Sequence, residues 1–477
     1  MTVTALIPAA PHRLPLFGHA VSLLRDPFAF LSSLPAYGDL VRVGLGPVTA
    51  VVVCDPGLTR HVLRHDRVFD KGGQIIERAR EVAGNGLFSC PHSEHRRQRR
   101  LLQPAFRRDR LPAYADLMAG QITAVSDSWS DGQILDVLSE MRRITSGTIT
   151  RTLFSSAGSE EVLRQIPEDL NTIFASIFWR TVLPMSVSRR RTFGSRAYDR
   201  AIIRLRGSVR TITAQRRGEG VDGDDLLSAI LAAHGGEADG DRSLTEAEIC
   251  DQITTFFGVG TDTAAAGSTW ALHPLDSHPA VAEKLYAEVD TVLAGRPARH
   301  GDLPRLEYTS RVITETLRLR PPAWLFTRTV AEDTELGGHR LAAGTTVIYS
   351  PYLLHHRPDL YHDAEHFDPD RWGAGDAQPG ALIPFGDGHR KCIGDEFALV
   401  LMTLALATIA SRWRLSQRSP WSRRAPRPVL PRAPPPPVRD ARHHKKQPRT
   451  RTGVAARRGQ PPATAISRCD AGPGLPS

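Results

Sequence analysis

The residues with the clearest chemical potential lie in one stretch, Phe385-Gly386-Asp387-Gly388-His389-Arg390-Lys391-Cys392-Ile393-Gly394. An apolar run of helix length, Phe397 to Ala410, follows almost at once. A lone cysteine just before a helix meets unpaired backbone N–H groups and the positive end of the helix dipole, and both favour a thiolate over a thiol. A metal ligand must be a thiolate, so Cys392 is a candidate for binding iron. Taken alone it reads as readily as an inert core cysteine, and the weight falls on its neighbours. Gly388 and Gly394 permit turns that a side chain would obstruct, Phe385 can shield the sulfur from water, and Arg390 offers a fork to a carboxylate. Cys54, Cys90, Cys250 and Cys469 are scattered without a C-x-x-C pair, which excludes zinc clusters and dithiol chemistry.

The stretch meets every fixed position of Phe-x-x-Gly-x-Arg-x-Cys-x-Gly, and here the chain resembles the cytochrome P-450 family. The resemblance implies a mainly α fold with small β-sheets and a haem b (iron protoporphyrin IX). Cys392 is its axial thiolate, with Phe385, Arg390 and Gly394 around it. Further motifs of the family stand in the right order. Glu315-Thr316-Leu317-Arg318 puts a carboxylate and a guanidinium three apart on one helix face, just before Pro321-Pro322. Phe367-Asp368-Pro369-Asp370-Arg371 supplies Arg371 as third member of a structural cluster with Glu315 and Arg318. His95, Arg99, Arg328 and Arg390 match positions that neutralise the two haem propionates, and the spacing of four aligns His95 with Arg99 on one helix.

Thr245 and Glu248 form a possible capping box. They open a long helix through Ile249, Ile253, Phe256 and Phe257 to Gly260-Thr261-Asp262-Thr263, which resembles the family's oxygen-binding helix. Gly260 inside a helix suggests a need for space, here a local opening beside the iron. Splitting dioxygen needs protons in a site that excludes water, and Thr263 beside Asp262 can relay them. Val259 and Ala264 depart from the residues usual at those positions, as does Pro274 near the helix end.

Regions that touch substrate in the family fall on the loop from Arg67 to Pro91, on Phe257, and on Trp324-Leu325-Phe326. An apolar wall of that kind suits a hydrocarbon held by shape. The segments Arg67 to Gly73, His95 to Phe106 and Val347 to Leu354 resemble actinobacterial sesquiterpene hydroxylases of the family. That implies oxidation of a cyclic sesquiterpene such as pentalenene in terpenoid antibiotic biosynthesis. Family analogy supplies electrons through ferredoxin and an NAD(P)H-dependent ferredoxin reductase. Two other readings are a peroxide-driven haem-thiolate oxygenase and a haem-binding protein without turnover.

Positioning these residues is the task of 477 residues, 41% of them apolar, enough for a large core. The net charge of +10 is misleading. Residues 417–477 hold 14 of the 61 Lys and Arg but 2 of the 51 Asp and Glu, which leaves 47 basic against 49 acidic groups in residues 1–416. The body gives no support to nucleic-acid binding. The last 61 residues also hold 13 prolines and no helical or alternating period, so a disordered tail is expected after a catalytic domain of residues 1–416. The family resemblance runs from about Leu14 to Leu415. The Arg/Pro-rich composition beyond it resembles a GC-rich gene read in a shifted frame. The longest apolar run is about 14 residues, short of the 18 or so that cross a bilayer, and the start resembles no secretion signal, so a cytoplasmic monomer without a membrane span is expected. Leu40-Val41-Arg42-Val43 and Ala50-Val51-Val52-Val53 read as strands, and residues 92–304 as mostly helical, with Val281, Leu285, Val289 and Val292 an example of the spacing. A second small sheet is expected between Arg328 and Ser350.

Overall fold

The two valine-rich segments form the hairpin of β1 (Leu40–Leu45) and β2 (Val48–Val53), antiparallel with Leu40 opposite Val53. The computed structural model describes residues 6–154, 165–166, 168–170, 172–173, 195–219, 225–232, 244–373, 380–417 and 440–445, all within one unit, residues 1–446. The expected second sheet does not stand alone. β3 (Phe69–Asp70), β5 (Phe326–Val330) and β8 (Thr346–Tyr349) join the hairpin in one five-stranded sheet of order β1-β2-β8-β5-β3. β8 runs parallel to β2, Ala50 opposite Thr346, and antiparallel to β5. The reason is burial: Val51, Val52, Val53, Val347, Ile348 and Tyr349 are buried at successive positions, so both faces of these central strands are covered. Between β5 and β8, β6 (Thr334–Leu336) and β7 (His339–Leu341) form a separate hairpin, closed by Gly337 and Gly338 at positive φ.

The described helices that matter for the site are α1 (Pro56–Arg64), α2 (Gln74–Ala83), α3 (His92–Leu102), α4 (Leu111–Asp127), α5 (Val137–Phe154), α6 (Ser195–Glu219), α7 (Leu226–Ala232), α8 (Glu246–Leu272), α9 (Pro279–Leu293), α10 (Glu307–Leu319) and α11 (Asp395–Arg412). The mainly α expectation holds. α8 begins at the expected capping box: Glu248 N donates to Thr245 Oγ1 at 3.2 Å and Thr245 N donates to Glu248 Oε2 at 2.8 Å. From Ala264 to Leu272 every residue of α8 is buried, as is every residue of α11 from Leu401 to Ser411. A helix apolar all round must lie inside the protein. Met118 and Ile122 of α4, Ile144 of α5 and Leu285 of α9 share one core with these two helices.

The carboxy-terminal stretch departs from expectation in one place. β9 (Trp413–Gln417) pairs with β10 (Asp440–Lys445), which in turn pairs with β4 (Ile134–Asp136), all antiparallel. Six residues of a segment expected to lack structure therefore form a strand. Ladder hydrogen bonds use backbone groups only, so a sequence without alternation can still take the central place in a three-stranded sheet. Residues 418–439 and 446–477 lie outside the described residues.

Candidate active site

Cys392 sits in a loop pinned at both ends. Its N–H donates to Phe385 O at 2.9 Å, which folds the ten-residue stretch back on itself before α11. Gly388 has φ +68°, and a Cβ there would lie 2.5 Å from Leu63 O, so only glycine lets the loop press against the end of α1. Gly386 shares the left-handed conformation, φ +74°. Gly394 does not: as N-cap of α11 it has φ −100°, and a Cβ would meet nothing nearer than Phe106 at 3.8 Å. The sulfur faces a cavity of about 410 Å³, with Phe385 and Gly394 beside it in the wall. Among the described cysteines it alone lines that cavity, while Cys54, Cys90 and Cys250 are buried elsewhere. Burial raises the Cys392 pKa, against the lowering effects of the Gly394 N–H and the Arg99 and Lys391 charges. A bound cation would favour the thiolate beyond what the helix terminus supplies.

Lys71 and Arg99 stand in the cavity wall, while Arg328 and His95 are not among the residues that line it and lie buried close enough to act on the Lys71 and Arg99 charges. Arg328 on β5 is 1% exposed, its Nε and Nη1 have no hydrogen-bond partner among the described residues, and its guanidinium lies 5.7 Å from the centre of the Tyr349 ring. A buried guanidinium with orphaned donors is costly unless a carboxylate meets it, which is what a haem propionate offers. His95 and Arg99 both lie on α3 as expected. His95 is buried, and burial, then the Arg390 and Arg99 charges, push its pKa down to about 3. Arg99 lines the cavity, with Nη1 bonded to Lys391 O and Nε donating to Gln103 at 3.2 Å.

Arg390 departs from its expected role. It lines the cavity, but Nε donates to Asp66 at 3.1 Å, Nη2 to Asp70 at 2.8 Å and Nη1 to Cys90 O at 2.9 Å. Its fork is occupied by carboxylates of the chain itself. A residue the sequence did not single out stands in the same place. Lys71 lines the cavity, 9% exposed, its ammonium 4.5 Å from the centre of the Phe88 ring. Burial and the Arg328 and Arg390 charges hold its pKa well below the usual lysine value. Gly72 brings it there: a Cβ on Gly72 would lie 2.2 Å from Thr329 Oγ1, so the chain after Lys71 can lie directly on β5. A lysine between Asp70 and a Gly-Gly pair is the only signal the sequence carries. Arg328, Lys71, His95 and Arg99 together fit a dianionic cofactor.

On the opposite wall α8 presents Gly260, Thr263 and Ala264. Thr263 Oγ1 donates to Val259 O at 2.8 Å. Asp262 does not line the cavity; it is buried and accepts a hydrogen bond from Arg142 Nε of α5 at 3.1 Å. The space left by Gly260 is also taken up by α5, since a Cβ there would lie 2.9 Å from Ile149 Cδ1. The apolar wall differs from expectation by one residue in two places. Phe256, not Phe257, lines the cavity, and Phe257 belongs to the core of α5, α6 and α7. Consecutive helical residues point about 100° apart, so a wall contact and a core contact alternate. Leu325 and Phe326 line the cavity as expected, while Trp324 packs in the core with Phe28, ring centres 5.4 Å apart. The segment read as a loop from Arg67 to Pro91 carries α2 at its centre, whose Ile75, Ile76, Ala79, Val82 and Ala83 line the cavity.

Behind the cavity, Glu315, Arg318 and Arg371 meet in the expected cluster. Glu315 and Arg318 are fully buried and joined by two bonds of 2.9 and 2.7 Å, and Arg371 Nε donates to Glu315 at 3.1 Å. Trp372 Nε1 and Asp368 N also donate to Glu315, at 2.9 and 3.0 Å. Arg318 Nη1 ties α10 to His355 O and Ala364 O. Among the described residues no helix is long and apolar enough to cross a membrane.

Known proteins share this arrangement. The family model for cytochrome P450 matches residues 8–437. Pentalenene oxygenase of Streptomyces avermitilis is 44% identical over 410 residues, covering 85% of this chain and 91% of that protein. Cyclooctat-9-en-7-ol 5-monooxygenase of Streptomyces melanosporofaciens is 44% identical over 410 residues, covering 85% and 89%. The crystal structure of the cytochrome P450DA haem domain superposes with a TM-score of 0.82 at 26% identity, covering 93% of this chain and 98% of that one. Matched over most of its length in sequence and in fold, the chain belongs to the cytochrome P450 family and is a monooxygenase with haem b on a cysteine thiolate.

Proposed function

We propose that the chain hydroxylates a cyclic terpene, in the size range of a sesquiterpene such as pentalenene. One observation carries the reading: the only thiol on the cavity wall among the described residues faces a space otherwise lined mainly by Ile75, Val82, Leu87, Phe256, Leu325 and their neighbours. Such a space holds a hydrocarbon by shape, next to the group that oxidises it. The names of two relatives specify terpene substrates, one a hydrocarbon and one an alcohol.

A haem held on Cys392 would supply the oxidising chemistry, in which two electrons, two protons and O2 would yield one oxygen atom inserted into a C–H bond and one released as water. The chain's own residues do the rest. Cys392 supplies the sulfur, and Phe385 keeps water from it. Arg328, Lys71, His95 and Arg99 would hold the propionates. Thr263 Oγ1 hands a proton to the reacting side of the cavity, and Asp262, paired with Arg142, replenishes it from the far side of α8. Electrons come from ferredoxin and an NAD(P)H-dependent ferredoxin reductase, to a soluble cytoplasmic monomer.

The test is the full haem-loaded chain, its ferrous carbon monoxide spectrum, and turnover of cyclic sesquiterpene hydrocarbons with ferredoxin, reductase and NAD(P)H. The expected product gains one oxygen atom, labelled when the O2 is labelled. Turnover with peroxide but none with the reductase chain, or spectral binding with no product at full electron supply, overturns the reading.

A further inference from the structure

The cavity wall is not apolar throughout. Thr152 of α5 and Thr255 of α8 both line it, 3% and 4% exposed, and neither hydroxyl has a hydrogen-bond partner among the described residues. A threonine inside a helix ordinarily bonds back to the carbonyl one turn earlier. Thr254 does so to Cys250 O and Thr263 to Val259 O, each at 2.8 Å. Thr148 and Thr261 also have unpartnered hydroxyls, but they do not line the cavity. Among the described residues, Thr152 and Thr255 are thus the pair that line the cavity and carry unpartnered hydroxyls, each oxygen buried just behind the cavity surface.

The two stand on the same stretch of wall. Where α5 and α8 touch they run antiparallel: Arg142 meets Asp262, Thr145 meets Thr261 O, and Ile149 meets Gly260. Thr152 lies three residues beyond Ile149 on α5 and Thr255 five residues before Gly260 on α8, so both lie beyond that contact in the same direction. The Thr255 hydroxyl packs against residue 86, which has to be glycine, since a Cβ there would fall 2.0 Å from Oγ1.

We propose that the natural substrate already carries an oxygen, as a cyclic terpenoid alcohol or ketone, bound with that oxygen at Thr152 and Thr255 and its reacting carbon near Thr263. The proposal rests on the terpene reading above and narrows it. Buried hydroxyls without partners are unfavourable, and a substrate oxygen relieves both at once. Turning either threonine about χ1 breaks no hydrogen bond, so the hydroxyl can take the place of the methyl at the cavity surface. Thr255 and Thr263 are eight residues apart, about 12 Å along the helix, which suits a fused tricyclic skeleton oxidised at the end remote from its existing oxygen. A hydrocarbon leaves both hydroxyls unpaired.

The experiment compares two tricyclic diterpenes that differ by one hydroxyl, abietadiene and abietadienol, by the spectral shift of the haem on titration into the full, haem-loaded chain. The alcohol is expected to bind about tenfold tighter. In the Thr152→Val, Thr255→Val variant, valine keeps the size, and the preference is expected to fall within about twofold through weaker binding of the alcohol alone. The carbon monoxide spectrum reports whether each variant holds haem. If the double variant does not, Thr255→Ser, which keeps the hydroxyl, against Thr255→Val decides the same question. Equal affinities in the wild type, or an undiminished preference in the valine variants, overturn this proposal and leave terpene oxidation standing. Binding of neither compound, nor of α-cedrene or cedrol, overturns the terpene reading as well.

Discussion

Asp262 and Thr263 are consecutive on α8, yet their side chains part: Thr263 lines the cavity, while Asp262 turns to α5 and accepts a hydrogen bond from Arg142 Nε at 3.1 Å. The carboxylate therefore reaches the reacting side only through its neighbour's hydroxyl or by leaving Arg142. Asp262→Asn keeps the shape and removes the carboxylate that can take up and release a proton, and kcat should fall about a hundredfold. Arg142 is partly exposed, so Arg142→Ala should cost less, about threefold to tenfold. Turnover per haem measures both, and wild-type rates in both variants would remove the pair from proton delivery.

Glu315 accepts from two arginines, an indole and a backbone N–H with no exposure to water. Such a cluster adds little net stability, because desolvation offsets attraction, but deleting one partner strands charge at about 3 to 5 kcal/mol. Glu315→Ala leaves two buried guanidinium groups unmatched and is expected to purify without haem. Normal haem loading would count against the cluster as what holds α10 to the segment carrying Arg371.

Phe256 and Phe257 give opposite expectations although they are adjacent. Phe257 is 1% exposed in the core, so Phe257→Ala should lower unfolding free energy by about 3 to 5 kcal/mol. Phe256 lines the cavity and meets Phe106 edge-on at 5.2 Å. Phe256→Ala should change substrate affinity and product pattern and leave the denaturation midpoint of the haem-free protein closer to that of the wild type. The reverse pattern in a urea titration would restore the reading from sequence.

That reversal shows what the sequence carried and what it did not. The cysteine loop, the capping box of α8 and the Glu315–Arg318 pair were legible because each is a short pattern whose residues touch one another or their own backbone, whereas Arg371, 56 residues from Glu315, came only from the family resemblance. Which of Phe256 and Phe257 meets the cavity was not, because both fit an apolar helix and only the packing of α5 and α6 chooses between them. The displaced role of Arg390 has the same origin: its partners, Asp66 and Asp70, lie more than 300 residues away in the chain. Joining the two strand regions into one sheet likewise depended on the β2–β8 pairing, which no local pattern reports.

His355 sets an acid limit on stability. Its Nδ1 bonds to Arg318 O at 3.1 Å and Ile383 N–H donates to its Nε2 at 2.9 Å, so a second proton must expel the Ile383 N–H. Burial, with smaller contributions from the His356 and Arg318 charges, pushes its pKa down to about 3, although the bond to Arg318 O acts the other way. Histidine in the unfolded chain titrates near 6.5. Below that pH the unfolded state takes a proton that the folded state refuses. This contribution is complete above about pH 6.5 and falls by about 1.4 kcal/mol per pH unit on the way to 3. Urea midpoints between pH 7 and 4.5 should drop less steeply for His355→Gln than for the wild type, and identical slopes would exclude His355 as a source.

Arg328 should act with opposite sign in the two forms of the protein. In the haem-free chain its orphaned Nε and Nη1 cost stability, since desolvated donors have given up water for nothing. Arg328→Leu removes them, and the haem-free variant should unfold at equal or higher urea concentration, a gain of about 1 to 3 kcal/mol at most. If, as proposed, the same arginine meets a propionate in the loaded protein, the variant should release haem to excess apomyoglobin at least about tenfold faster than wild type. Arg328→Lys keeps the charge without the fork and should fall between the two. Should Arg328→Leu destabilise the haem-free protein and leave haem release unchanged, the guanidinium belongs to the packing of β5 and not to the cofactor.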